Sequence, residues 1–290
     1  METKSYTTLI EPPTLAAWIE NPAAQRNVAI LDCRWDIARP EWGDAAYAES
    51  HVPGAFFASM DRDLADPVGP TTGRHPLPNI ERFVEKLGRW GIGDQTQVVA
   101  YDQGNGAAAS RLWWLLRWLG HAKVAVLNGG FAAWTAAGLP VTKETPSREP
   151  RVFTPRVQHD AVLSSSDVER SNKTLIVDAR AADRFAGRNE TIDPVAGHIP
   201  GARNHPFVRN LDSNAKFLSA AELRQRWQET LGGYAPENVI AMCGSGVTAC
   251  HNLLALEVAG LSGARLYAGS WSEWIKDPKR PVETLHATHD

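Results

Sequence analysis

The chain has 290 residues, 43% of them hydrophobic, with a formal net charge of −3 and three cysteines. That length suits about two domains with real cores. The mild negative charge argues against a nucleic-acid or membrane surface as main partner, and the cysteines are too few for a disulfide framework. Residues Met1 to Pro13 are polar and hold two prolines, with no apolar signal segment, so the chain reads as a cytoplasmic protein of a reducing compartment.

Taken in chain order, Pro12 to Asn21 reads as a short helix with Leu15, Trp18 and Ile19 inward, and Val28 to Leu31 as a strand. Ala45 to Ser50 forms a turn or short helix before His51-Val-Pro-Gly. Asn79 to Trp90 is amphipathic, with Ile80, Phe83, Val84 and Leu87 on one face. Val98 to Tyr101 reads as a central strand, Ala107 to Leu119 as the following helix, Val124 to Leu127 as a strand and Phe131 to Ala137 as a helix. The apolar window from Leu112 to Leu119 is too short to span a bilayer and contains Arg117, so it reads as a buried helix. Val141 to Pro155, rich in Pro, Thr and charge, has no apolar period. Strands alternating with helices predict an α/β fold with a mainly parallel sheet, whose sites lie at the carboxyl ends of strands.

The order then repeats. Val28-Ala-Ile-Leu-Asp32-Cys-Arg34 matches Leu175-Ile-Val-Asp178-Ala-Arg180, and His51-Val-Pro-Gly-Ala55 matches His198-Ile-Pro-Gly-Ala202. Val98 to Asp102 matches Val239 to Cys243. Leu127 to Trp134 matches Leu266 to Trp274 with one extra residue. The expected domains are 1–140 and 157–290, joined by a linker at 141–156. His51 and His198 occur in both copies, which points to anchoring of the Pro-Gly turn. Asp178 and Arg180 read as a strand-end pair that holds loops. Cys33 and Cys250 read as core residues.

One stretch carries the chemistry. Val239-Ile-Ala-Met ends at Cys243, the small-residue loop Gly244-Ser245-Gly246 follows, and Ala249 to Ala259 continues at helical spacing. A thiol at a strand end, beside loop N–H groups and a helix start, gains from partial positive charge that favours the thiolate. A buried cysteine is more often a small hydrophobe, but a core position does not call for the glycines that an anion cradle needs. Cys243 is therefore the candidate nucleophile. The first copy has Asp102 at the aligned position, followed by Gln-Gly-Asn-Gly, and is expected to be catalytically silent.

In its Asp-x-Arg, His-x-Pro-Gly-Ala and Cys243-Gly-Ser-Gly-Val-Thr248 elements, and in their order, nearly the whole chain resembles the two-domain rhodanese family of sulfurtransferases, and within it the 3-mercaptopyruvate group. The resemblance implies two tandem rhodanese-like domains, each a mainly parallel sheet flanked by helices, with the second catalytic. It implies a site built from Cys243, Ser245, His75 and Asp61, the last three acting as a proton relay for the donor's leaving group. The alternative is that His75 only caps a loop beside Pro76 and Asp61 is a solvated turn residue. Gly244, Gly246, Val247 and Thr248 complete the loop, and Arg184 grips the donor's anionic end. The second arginine that the family often places before the Gly-His is missing: Ile192-Asp193-Pro194-Val195 stands there, and Arg188 is the expected substitute. Gly244 and Ser245 bring no charge to the loop, which leaves Arg184 as the single clear anion-gripping residue and favours a carboxylate-bearing thiol.

The reaction so implied passes a sulfane sulfur from 3-mercaptopyruvate, through a persulfide on Cys243, to cyanide, a small thiol or a thioredoxin-like protein, with no metal or organic cofactor. Two alternatives stand beside it. One is thiosulfate:cyanide transfer at the same site, and the other is a non-catalytic sulfur-carrier or docking module. A phosphatase of related fold would need an arginine where Ala249 stands.

Overall fold

The computed structural model describes residues 5–285. The outer ends of the expected 1–140 and 157–290 domains, and the start of the polar Met1–Pro13 stretch, lie outside the described residues. The chain divides into two compact units. The first runs through Asp66 and adds Leu77–His159 and Asp212–Phe217; the second comprises Pro67–Pro76, Asp160–Leu211 and the stretch from Leu218 onward.

The first unit contains β1 (Leu9–Ile10), α1 (Pro12–Glu20), α2 (Pro22–Gln25), β2 (Val28–Asp32), α3 (Trp42–Glu49), β3 (Ala55–Phe57), α4 (Ile80–Arg89), β4 (Gln97–Tyr101), α5 (Ala107–Trp118), β5 (Val124–Leu127) and α6 (Gly130–Ala136). Its strands pair in the order β1-β5-β4-β2-β3, all parallel. β2, β4 and β5 are buried at every position, as expected of strands covered on both faces by helices. The run from Leu112 to Leu119 is a buried helix, with Trp113, Leu115 and Leu116 inside it. Burying such side chains stabilises the fold by about 1.5–3 kcal/mol each. Phe83 and Leu87 face inward from α4, as the amphipathic spacing requires, while Ile80 and Val84 are half-buried. Leu15 is fully buried in α1, with Trp18 and Ile19 packed at the margin of the same core.

The second unit contains β6 (Val162–Leu163), α7 (Ser165–Arg170), β7 (Leu175–Asp178), α8 (Ala182–Phe185), β8 (Arg203–Asn204), α9 (Ala220–Leu231), β9 (Val239–Met242), α10 (Thr248–Val258), β10 (Arg265–Tyr267) and α11 (Ser270–Trp274). Its strand order, β6-β10-β9-β7-β8, repeats that of the first unit, again all parallel. Each unit thus has a five-stranded parallel sheet among the described residues, flanked by helices. α7 and α9 start at capping boxes built on Ser164 and Ser219, which satisfy the first orphan N–H groups of each helix.

The repeated motifs hold each unit in the same way. Asp32 and Asp178 end β2 and β7 fully buried, and each takes a forked ion pair from the arginine two residues on, Arg34 or Arg180. Arg34 then donates to the carbonyls of Ala46 and Ser50, and Arg180 to that of Gly197. His51 stacks on Tyr47 and His198 on Phe185, and the Nδ1 of each ring bonds the carbonyl of its stacking partner. Both histidines also form a short antiparallel bridge, to Thr142 and Glu283 respectively. These are anchoring contacts, as the occurrence of both histidines in both copies suggests. The stretch 141–156 contains no helix and is bonded along its length to the first unit, through the Thr142 bridge, Arg148 on the Arg26 and Val28 carbonyls, and Arg156 on that of Leu119. No helix among the described residues is long and apolar enough to cross a membrane.

Candidate active site

Residue 178 pairs with Met242, so the chain leaves β9 at Cys243, beside the carboxyl end of the central strand pair. Cys243 is 2% exposed. Its own N–H donates to Ser270 Oγ (3.1 Å), and its carbonyl accepts from Trp271 (3.0 Å). The Gly246 N–H donates to Cys243 Sγ at 3.1 Å. The loop therefore bends back on the sulfur and aims a backbone dipole at it, as a site for negative sulfur requires. Gly246 has φ +77°, and a Cβ there would lie 2.4 Å from the Ala268 carbonyl oxygen, so only glycine permits this bend. Val247 is buried just before α10, and Thr248 opens that helix half-buried.

The Pro67–Pro76 segment belongs to the same unit and brings two residues to this loop. His75 is 5% exposed, and its Nδ1 lies 2.7 Å from Ser245 Oγ, itself buried. Arg74 binds Ser272 Oγ through its backbone N–H and forms an ion pair with Asp193. Asp193 also accepts from Arg184 Nη2 at 3.0 Å, and Arg184 meets Glu190 at 2.9 Å. Glu190, its side chain 2% exposed, also faces Arg180 and accepts from the Ile192 and Asp193 N–H groups, which fixes the loop that presents Asp193. Two guanidiniums and the Asp193 carboxylate thus stand directly over Gly244. A Cβ built there would lie 2.7 Å from Arg74 Nη2, 3.7 Å from Arg184 Nη2 and 3.8 Å from Asp193 Oδ2. Burial pushes the Asp193 carboxyl up, against the pull of Arg74.

Cys243, Gly244, Ser245, Gly246, His75 and Arg184 therefore share one site in the second unit. One expectation needs correction. Arg184 is not the single guanidinium over the loop, because Arg74 joins it from a segment far away in sequence. Around the uncharged Gly244-Ser245 pair, Arg74, Arg180 and Arg184 face Asp178, Glu190 and Asp193 in equal formal numbers. Arg188 is exposed and makes no ion pair with this cluster among the described residues. Asp61 is exposed and belongs to the first unit. Sequence reasoning missed Arg74 and Asp193. Arg74 adjoins His75, and Asp193 stands in the stretch that lacks the expected arginine, so both were next to a signal.

The other cysteines differ. Cys33 is 1% exposed, and burial, with Asp32 and Asp102 nearby, pushes its thiol well up. Cys250 is fully buried, with its Sγ on the Gly246 carbonyl. In the first unit, Asp102 fills its own loop. Its carboxylate accepts from the N–H groups of Gly104, Gly106 and Ala108 (3.0 Å each) and Ala109 (3.2 Å).

A tandem repeat of a parallel α/β domain, with a thiol in the strand–loop–helix turn of the second copy, defines a class of thiol-bearing tandem-domain proteins. The rhodanese-like domain model matches residues 14–137 and again 165–277, and the chain belongs to the rhodanese family. It is 46% identical over 281 residues to a probable 3-mercaptopyruvate sulfurtransferase of Pseudomonas aeruginosa, covering 95% of this chain and 98% of that one. It is 35% identical over 289 residues to the thiosulfate sulfurtransferase of Cricetulus griseus, covering 96% and 95%. The solved 3-mercaptopyruvate sulfurtransferase of Leishmania major superposes with a TM-score of 0.80 at 35% identity, over 92% of this chain and 74% of that one.

Proposed function

We propose that the chain is a sulfurtransferase that moves sulfur from a small thiol donor, 3-mercaptopyruvate or a similar molecule, through Cys243 to a thiophilic acceptor. The observation that carries this reading is Cys243 at the end of β9 with the Gly246 N–H on its sulfur. The Cys243 thiolate attacks the donor sulfur. The carbon–sulfur bond breaks, its electron pair leaves with the carbon as the enolate of pyruvate, and a proton on that carbon completes pyruvate. The loop N–H holds the charge on the sulfur. His75 and Ser245, 2.7 Å apart, support a proton relay for the leaving group. An acceptor such as cyanide, a small thiol or a thioredoxin-like protein then takes the outer sulfur, and the electrons of the S–S bond return to Cys243. Three free, buried cysteines fit a reducing, cytoplasmic setting.

Thiosulfate transfer is the second reading, favoured by the pair Arg74 and Arg184 over Gly244, since guanidiniums suit a dianion. The test measures pyruvate release from mercaptopyruvate beside thiocyanate release from thiosulfate. Repeated turnover with mercaptopyruvate supports the first reading. A preference for thiosulfate installs the second, and loading of Cys243 once without turnover would make the chain a carrier.

A further inference from the structure

Asp193 is the anomaly of this site. Its carboxylate takes hydrogen bonds from Arg74 Nη1 and Arg184 Nη2, the same kind of contact that an anionic donor over Gly244 would need. We propose that Asp193 is an internal anion seated in the donor's anion site, and that it selects the donor by making each incoming negative charge compete with its own. This rests on the reading of the Cys243 loop as the donor site.

Three observations carry it. The first is position. The Asp193 Oδ2 and the two guanidinium nitrogens all lie within 4 Å of a Cβ built on Gly244, the residue after the nucleophile. The second is charge. Arg74, Arg180 and Arg184 face Asp178, Glu190 and Asp193, so the formal charges of the cluster sum to zero and it holds no formal excess of positive charge for a dianion. The third is an unused donor. Arg74 Nε is buried and has no hydrogen-bond partner, so the cluster keeps one N–H that Asp193 does not satisfy and a bound anion could. Burial raises the Asp193 carboxyl against the pull of Arg74 and Arg184, so the ionised form that holds the two guanidiniums is desolvated. Repulsion scales with the incoming charge. Thiosulfate is therefore penalised about twice as strongly as a monocarboxylate, in energy, at the same separation.

The test uses Asp193→Asn, which keeps the shape and removes the charge, with Asp193→Ser as a second variant should the amide destabilise the loop. Sulfate and pyruvate serve as unreactive dianion and monocarboxylate, and their affinities are measured by titration calorimetry on the full chain. We expect Asp193→Asn to tighten sulfate about ten- to a hundredfold, the range of one charge-assisted contact, and pyruvate less. The ratio of kcat/KM for thiosulfate over mercaptopyruvate should rise in parallel. Adding Arg74→Gln should return sulfate affinity to the starting level. Unchanged or weaker sulfate binding in a folded Asp193 variant overturns the proposal, as does a gain that survives Arg74→Gln. Because sulfate binding needs no turnover, this failure is separate from failure of the sulfurtransferase reading, which would show as no persulfide on Cys243 after mercaptopyruvate treatment.

Discussion

The two units carry the same loop and give it opposite contents. After β4, Asp102 folds into its own loop and satisfies four backbone N–H groups with one carboxylate. After β9, Cys243 meets one of those dipoles, the Gly246 N–H, with a sulfur that can exchange partners. On the proposed reading, a permanent occupant makes the first loop a strut, and a replaceable one makes the second a site. The difference teaches that the fold supplies the cradle and a single side chain decides whether it is structural or chemical.

The largest expected effect breaks the comparison at its centre. Cys243→Ser should reduce transfer to background, while Cys33→Ser and Cys250→Ser, which alter buried packing positions, should keep much of it. Moving the thiol sharpens the point. Asp102→Cys in a Cys243→Ser background should restore no transfer, because the proposed relay pair, His75 and Ser245, sits at the second loop. Rates with mercaptopyruvate decide both cases.

Next in size is the relay. His75→Ala should lower kcat by about a hundred- to ten-thousandfold if it handles a proton, and Ser245→Ala should follow the same pH profile. A loss below about threefold in either, with the profile unmoved, would assign the pair to packing instead.

Asp102→Ala should leave kcat near the native value but cost roughly 3 kcal/mol of stability, since buried N–H groups lose their only anion. Denaturant unfolding reads the cost. A folded Asp102→Ala protein as inactive as Cys243→Ser would mean that the first loop is not a strut.

The smallest effect separates the units by pH. His205 N–H bonds the Asp178 carbonyl, and its counterpart on the Asp32 carbonyl is Ala58. His205 is fully buried, stacked on Trp227 and bonded to Thr230 and Asn210, and burial depresses it to about 4. The unfolded chain binds this proton near the ordinary histidine value and the folded one does not, so stability falls as pH drops between those limits. About 2 kcal/mol should be lost between roughly pH 7 and pH 5. The second unit should carry that loss, readable by hydrogen exchange, and His205→Gln should flatten it. Equal loss in both units would refute the assignment.

Much of this was legible. The fully buried strands, the Asp-x-Arg ends, the repeated histidines and the cysteine loop are local patterns, and each sits where its residues implied. The two-residue strands β1, β6 and β8 were not, because so short a run has no period and exists only through its neighbour's hydrogen bonds. Arg74 and Asp193 escaped for another reason. They pair across 119 positions of sequence, and an ion pair leaves no spacing to detect. The missing arginine near Asp193 was visible, but the carboxylate in its neighbourhood gained meaning only once two guanidiniums were seen to close on it.

The most direct measurement is mass spectrometry of the full chain after treatment with mercaptopyruvate and removal of excess donor. A site at Cys243 requires one added sulfur on the peptide that holds Cys243, none on those with Cys33 or Cys250, and loss of that sulfur when cyanide or a thiol is added. Sulfur found on another cysteine, or full modification in Cys243→Ser, would contradict it.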